Sequence, residues 1–313
     1  MIDYISRRFL IFIPTLILLS MLLFLGLEAG PGDAASFLIN PEFPSDQVER
    51  IRQELGLDRP LPIRYVSWVR ELLAGNLGYS MLDGKPVKDL LAARVPRTLS
   101  LMAFSIVLAV AFGVVLGTVS ALYQYSVIDN ALTFVGLLGI STPAFFTGML
   151  GILLLSLRWK LLPIGGMGTE PGILVAIQHA LLPAGVLAFR SGSEFLRYTR
   201  GAMLDALNRD YMALAKSKGL TVRRVTVVHG LRTALIPVAT IIILRLPVLV
   251  GGSVIVEQVF SWPGMGTMLI NAARAQDFPV VVTVALLIGT VLLFSSLLAD
   301  VLLAIIDPRV RLR

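Results

Sequence analysis

Two histidines, a cluster of basic residues and three charges set inside apolar runs are the parts of this chain whose types and spacing could do chemistry. His179 and His229 are its only histidines and there is no cysteine, so neither a thiolate metal site nor a disulfide framework is open to it. The apolar runs around the histidines place them on opposite sides of a membrane, which removes a shared metal site. His179, near the outer end of its run, is then expected to be a hydrogen-bonded interface residue. Serine, aspartate and glutamate residues in the runs are not spaced as a nucleophile with its base, so no catalytic residue is assigned. The nearest approach to a phosphate loop, GYSMLDGKP at 78–86, has one residue too many between its glycines and a proline where Ser or Thr is required.

Charges within apolar runs need a reason, because burial in lipid costs at least about 2.5–3.5 kcal/mol each. Arg190 and Glu194 are four residues apart, close enough to pair on one helix face. They either snorkel toward the inner end of their run or line a translocation pathway. Arg245 stands alone near the middle of its run, where snorkelling is harder, so a water-filled passage is expected beside it. A cation there suits a peptide carboxylate or another anionic group, or a carboxylate on a partner helix.

The basic residues gather in DYMALAKSKGLTVRRVTVVHGLRTAL at 210–235. Asp210 is placed to cap a helix in which Met212, Leu214 and Ala215 alternate with Lys216 and Lys218, and Gly219 stands where a left-handed residue ends a helix. Thr221 is placed to cap a second helix with Val222, Val225 and Val228 on one side and Arg223 and Arg224 in water. By spacing alone this is a docking loop or an ordinary basic loop with helical ends.

Long apolar elements must position these residues. Hydrophobic residues make up 56% of the 313 and charged residues 15%, too apolar a balance for a water-soluble domain. Runs suitable for spanning occur at 9–27, 98–122, 131–157, 173–196, 235–256 and 279–306, predicting an all-α integral membrane protein with six transmembrane helices. The first run follows Arg7 and Arg8 and exceeds the length of a signal-peptide core, so it reads as a retained span with a cytoplasmic N-terminus. Arg309, Arg311 and Arg313 after the last run agree with the 210–235 cluster on which side is inside. Three regions follow: a first helix at 1–27, an extracytoplasmic segment at 28–96 with short helices, and a membrane core at 97–313 with its cytoplasmic loop at 201–233. In the outer segment Ser45 or Asp46 caps one short helix, with Glu49 as its return partner, and Pro62 opens another through Tyr65 and Trp68 to Leu73. The net charge of +7 is accounted for by topology and anionic lipid, and no basic and aromatic interleaving points to nucleic acid. Gly113 and Gly117 form a close-packing pair within the chain.

Asp210, Tyr211, Ala215, Lys218, Gly219, Arg223, Arg224, Val225, His229, Leu231, Arg232 and Ala234 together resemble the cytoplasmic EAA loop of bacterial ABC importer permeases, in its peptide/nickel form. LGLDRPLPIRY at 55–65, GNLGYS at 75–80 and the closing DPRVR at 307–311 are similar to the same family. EQVFSWPGMG at 257–266 resembles its E-x-V-F-S-x-P-G-x-G element. By itself that element reads as a type II turn at Pro263 and Gly264 with Trp262 at the membrane interface.

The resemblance implies a type I permease of the dipeptide/oligopeptide/nickel class, the B-type subunit, in a bacterial or archaeal cytoplasmic membrane with both termini cytoplasmic. It implies a second homologous permease, two ATPase subunits holding ATP and Mg, an extracytoplasmic substrate-binding protein, and no cofactor on this chain. Asp210, Tyr211, Ala215, Lys216, Lys218, Gly219, Arg223, Arg224 and His229 would then couple to the ATPases. Glu257, Phe260, Pro263, Gly264 and Gly266 would form an extracytoplasmic gate loop. Ala213 stands where other ABC importers have the glutamate of the EAA pattern, and Arg245 where the family usually has an uncharged polar residue, so Arg245 is expected to report substrate preference. Peptide, nickel chelate, opine, glutathione and oligosaccharide importers share this permease type. A secondary transporter or channel is the alternative from another class, although no internal repeat aligns the two halves.

Overall fold

An apolar run in hydrocarbon must close its backbone hydrogen bonds within the segment, so its long elements are helices. The computed structural model describes residues 2–28, 59–168, 172–221 and 224–306. The expected 45–49 helix and the 307–311 tract lie outside the described residues. Helices are α1 (Ile2–Glu28), α2 (Leu61–Leu73), α3 (Val87–Leu122), α4 (Val127–Ser141), α5 (Ala144–Gly151), α6 (Ile173–Leu207), α7 (Asp210–Ser217), α8 (Arg232–Val259), α9 (Met265–Arg274) and α10 (Phe278–Ile306). Wider π-helical turns continue α5 through Ile152–Arg158 and precede α8 at Val225–Leu231. Among the described residues there is no strand, only an isolated bridge between Tyr79 and Pro86.

Four helices are long and apolar enough to cross a membrane: Val87–Leu122, Ile173–Leu207, Val225–Val259 and Phe278–Leu303. The run 131–157 is not one continuous helix. It breaks between α4 and α5 with a bend of 113°. Pro143 is the cause, because a proline drives the preceding residue out of the helical region, and Thr142 sits at φ −91°, ψ 129°. In α1 the described apolar part, Leu10–Gly26, is shorter than the four. Among the described residues four helices are thus span-length, the bent pair can make a fifth crossing, and Leu10–Gly26 of the 27-residue α1 adds an apolar stretch, where the sequence predicts six spans.

Hydrogen bonds fix the direction of each element. Asp129, at the start of α4, is bonded to Ser120 and Arg200, beside the ends of α3 and α6 that lead toward Asp210. After α5, the Gly166 amide donates to the Phe260 carbonyl at 2.9 Å, just beyond the end of α8. The bent pair thus carries the chain from the Asp210 end of the bundle to the Glu257 end. Arg64 of α2 donates to Glu28 at 2.6 Å and Ser80 donates to Asp277, which places the start of α1 and the end of α10 at the Asp210 end.

α6 is the central helix, packed on α3, α4, α5 and α8. Small residues set the closest approach. A Cβ on Gly117 would stand 2.6 Å from the Leu196 carbonyl, and one on Gly113 2.9 Å from the Gly192 carbonyl, so this pair serves packing within the chain. At the Glu257 end Leu101, Leu182, Val256, Phe260 and Trp262 form the largest buried apolar cluster.

Candidate functional site

At the Asp210 end, α7 and the π-helical turn fold onto the tip of α6. Met212 is fully buried, Ala215 and Val225 are buried with it, and Leu207 and Leu220 close the cluster. Gly230 lets this interior form, since the Met212 and Met203 methyls lie 3.4 and 3.5 Å from the position of its missing Cβ. Asp210 sits in the first turn of α7, where its charge complements the helix's positive end. Gly219 takes φ +76°, the left-handed conformation expected after α7. Thr221 Oγ1 accepts from the Arg224 amide at 3.4 Å, as a cap does. Val228 does not join Val225 on one side: it is 47% exposed, because the i→i+5 turns there do not keep the three-residue spacing of an α-helix face. The outward face presents Tyr211, Leu214, Lys218, Val227, Val228 and Arg224. His229 is half-buried beside it, while Val222, Arg223 and the Lys216 side chain lie outside the described residues.

A clasp absent from the sequence reading anchors this end. The Asp129 carboxylate accepts Arg200 Nε at 2.7 Å, Arg200 Nη2 at 2.8 Å, Ser120 Oγ at 2.5 Å and the Tyr125 amide at 2.9 Å. It ties the α3–α4 turn to α6 about two turns before that helix ends at Leu207. Its sequence signal is Ser126 followed three residues later by Asp129, with the Ser126 hydroxyl accepting the Asp129 amide at 3.3 Å as an N-cap.

Midway along the bundle, Glu194 does not turn to Arg190. Its carboxylate meets Arg245 Nε at 2.7 Å, joining α6 to α8. Arg245 is therefore not alone, and an antiparallel neighbour, which spacing within one helix cannot reveal, supplies its counter-charge. The Arg190 side chain is exposed.

At the other end Glu257 is fully buried in the last turn of α8. It accepts Thr98 Oγ1 at 2.7 Å, the Gly266 amide at 2.7 Å and the Thr267 amide at 3.3 Å. Thr98 in turn accepts the Met265 amide at 2.8 Å. The carboxylate thus cross-links α3, the 257–266 turn and α9. Gly264 is required by that contact, because a Cβ there would lie 2.5 Å from the carboxylate, and one on Gly266 would lie 2.5 Å from Val254 Cα. The turn differs from the type II expectation. Gly264 has φ −103°, and its amide reaches back to the Trp262 carbonyl at 2.8 Å across the half-buried Pro263, while Ser261 takes the positive φ of 49°. Trp262 is not an interfacial residue of this chain. It is 2% exposed, with its indole N–H donating to the Arg97 carbonyl at 3.1 Å, since the cross-link draws the turn inward. Phe260 is buried beside it. Nearby, His179 Nδ1 lies 3.0 Å from the Gly165 carbonyl, in accord with its expected hydrogen-bonded role.

The chain is similar over nearly its whole length to known proteins. The family described as "Binding-protein-dependent transport system inner membrane component" matches residues 113–312, and the N-terminal part of such a membrane component matches residues 1–102. The chain belongs to this inner membrane permease family. Among its relatives, a Brucella suis (strain 1330) protein carrying a provisional peptide-permease name is 40% identical over 99% of both chains. The oligopeptide transport system permease protein AppB of Bacillus subtilis (strain 168) is 39% identical over 99% of both. The glutathione transport system permease protein GsiC of Escherichia coli (strain K12) is 37% identical, again over 99% of both.

The chain is thus an ABC transporter permease of the dipeptide/oligopeptide type. A permease component is not itself an enzyme, and its chemistry is that of surfaces and passages. Among the described residues, no three His, Asp or Glu side chains group closely enough to hold a metal ion. The permease divides its candidate residues among three levels: a surface at the Asp210 end, charges at mid-bundle, and a buried brace at the Glu257 end.

Proposed function

We propose that this permease crosses the cytoplasmic membrane six times and forms half of the pathway of an ATP-binding-cassette importer for peptides or similar small solutes. A second homologous permease supplies the other half, and two separate ATPase subunits dock beneath. Both termini and the 201–233 loop face the cytoplasm, and 28–96 faces the binding protein that delivers substrate. Peptide and glutathione names among the relatives support the substrate class.

The observation that carries this reading is the unit at the Asp210 end, whose buried Met212, Ala215 and Val225 leave Tyr211, Leu214, Lys218 and Arg224 facing outward. An internally packed helix–glycine–helix unit with an apolar and cationic outer face transmits force as one body. Closure of ATPases bound there would tilt α6 and α8 together and exchange inward-facing for outward-facing states. Affinity purification in mild detergent is expected to recover two ATPase subunits and a second permease, with uptake in liposomes requiring ATP inside. Uptake by the purified chain alone, driven by an ion gradient, would identify a secondary carrier instead.

A further inference from the structure

The Glu194–Arg245 pair lies at the midpoint of the bundle. α6 and α8 run antiparallel, with Leu187 3.7 Å from the missing Cβ of Gly252 and Leu207 3.6 Å from that of Gly230. About 20 Å of helix separates Glu194 from Leu207, and a similar length separates Arg245 from Val259. The two partners are unequally covered: the Arg245 side chain is 37% exposed and that of Glu194 11%. Its 2.7 Å contact is made through Nε, and among the described residues no hydrogen bond engages the Nη1–Nη2 fork. The Asp129 clasp differs, since Arg200 commits both Nε and Nη2 there.

Arg190 adds a second cation. It precedes Glu194 by one helical turn on the same face, is exposed, and has no carboxylate partner among the described residues. Two guanidiniums and one carboxylate leave this face with one excess positive charge, too costly to leave in hydrocarbon. A passage that admits anions gives that charge a role.

We propose that Arg190 and Arg245 form a carboxylate receptor midway along the pathway, which a substrate carboxylate enters by displacing Glu194 from Arg245. The inference rests on the peptide-permease reading and names the group that reading's substrate presents. Glu194 is the internal competitor. It neutralises Arg245 when the passage is empty and takes it back as the substrate leaves, so the cation never traps its ligand. A planar guanidinium fork matches a carboxylate in two parallel hydrogen bonds, which a point charge does not.

The test compares uptake of one peptide with a free C-terminus and the same peptide amidated, using the intact complex in liposomes and the same binding protein throughout. The ratio of the two rates, wild type against variant, cancels the binding protein's own preference. Arg245→Gln is expected to lower the free-to-amidated ratio by about tenfold, the order of one charge-assisted hydrogen bond. Arg190→Gln lowers it in the same direction, and Glu194→Gln, which removes the competitor, raises it. If the Arg245→Gln complex does not assemble, Arg245→Lys, which keeps the ion pair but lacks the fork, is expected to lower the ratio severalfold. Equal changes for both peptides, or Glu194→Gln and the arginine variants moving the ratio the same way, would overturn the carboxylate receptor while leaving the peptide reading intact. A wild-type complex that imports neither peptide overturns both.

Discussion

Arg200 grips Asp129 with two nitrogens, Nε at 2.7 Å and Nη2 at 2.8 Å, and so holds the α3–α4 turn against α6. The carboxylate is nearly buried, at 3% exposure, and the guanidinium one-quarter exposed. Removing one partner of a fully buried pair costs about 3–5 kcal/mol. Asp129→Ala, with Arg200 partly able to reach water, is expected to destabilise the permease by about 2–3 kcal/mol. Thermal unfolding in detergent measures the loss, and a midpoint equal to that of wild type would show that the clasp contributes nothing.

Gly219 supplies a backbone conformation rather than a contact: it has φ +76° and open space where a Cβ would stand. Gly219→Ala is expected to cost about 1–2 kcal/mol locally and to leave coupling largely intact. Gly219→Pro, fixed near φ −65°, cannot keep the turn between α7 and the π-helical segment. The complex should then lose substrate-stimulated ATPase activity and uptake together. Wild-type rates from an assembled Gly219→Pro complex would remove the docking assignment.

Gly264 leaves no room beside the Glu257 carboxylate. Gly264→Ala should force the 257–266 turn outward at a cost of about 1–3 kcal/mol. Trp262 would lose its buried site and the Arg97 carbonyl its indole donor. Tryptophan emission should shift to longer wavelength and limited proteolysis should cut near the turn. An unchanged spectrum and cleavage pattern would mean that the brace tolerates a methyl group there.

The chain has no cysteine, which makes single introduced thiols clean reporters. Asp83 and Ser217 are both exposed at opposite ends of the bundle. A cysteine at Asp83 is expected to react with a membrane-impermeant reagent in intact cells, and one at Ser217 only after permeabilisation. The reverse pattern would invert the proposed orientation.

The helical class, most span positions, the Pro62 helix and the turn at Gly219 were legible in the sequence, because each rests on local physics. A long apolar run closes its own hydrogen bonds, a proline starts a helix, and a glycine accepts positive φ whatever surrounds it. The break at Thr142 and Pro143 was legible in principle, since a proline constrains its predecessor, but the apolar run on both sides masked it.

What the sequence by itself determined was therefore which segments are helical, which residues are charged within them, and the family-like tracts at 210–235 and 257–266. Partners across helices were decided only by tertiary structure. Glu194 faces Arg245 rather than Arg190, Asp129 faces Arg200, and Glu257 faces Thr98, pairs that antiparallel packing brings together from distant positions. Helical periodicity says which residues share a face of one helix. It says nothing of which face of another helix lies opposite, and in an apolar bundle that register is set by close packing at small residues such as Gly113 and Gly117.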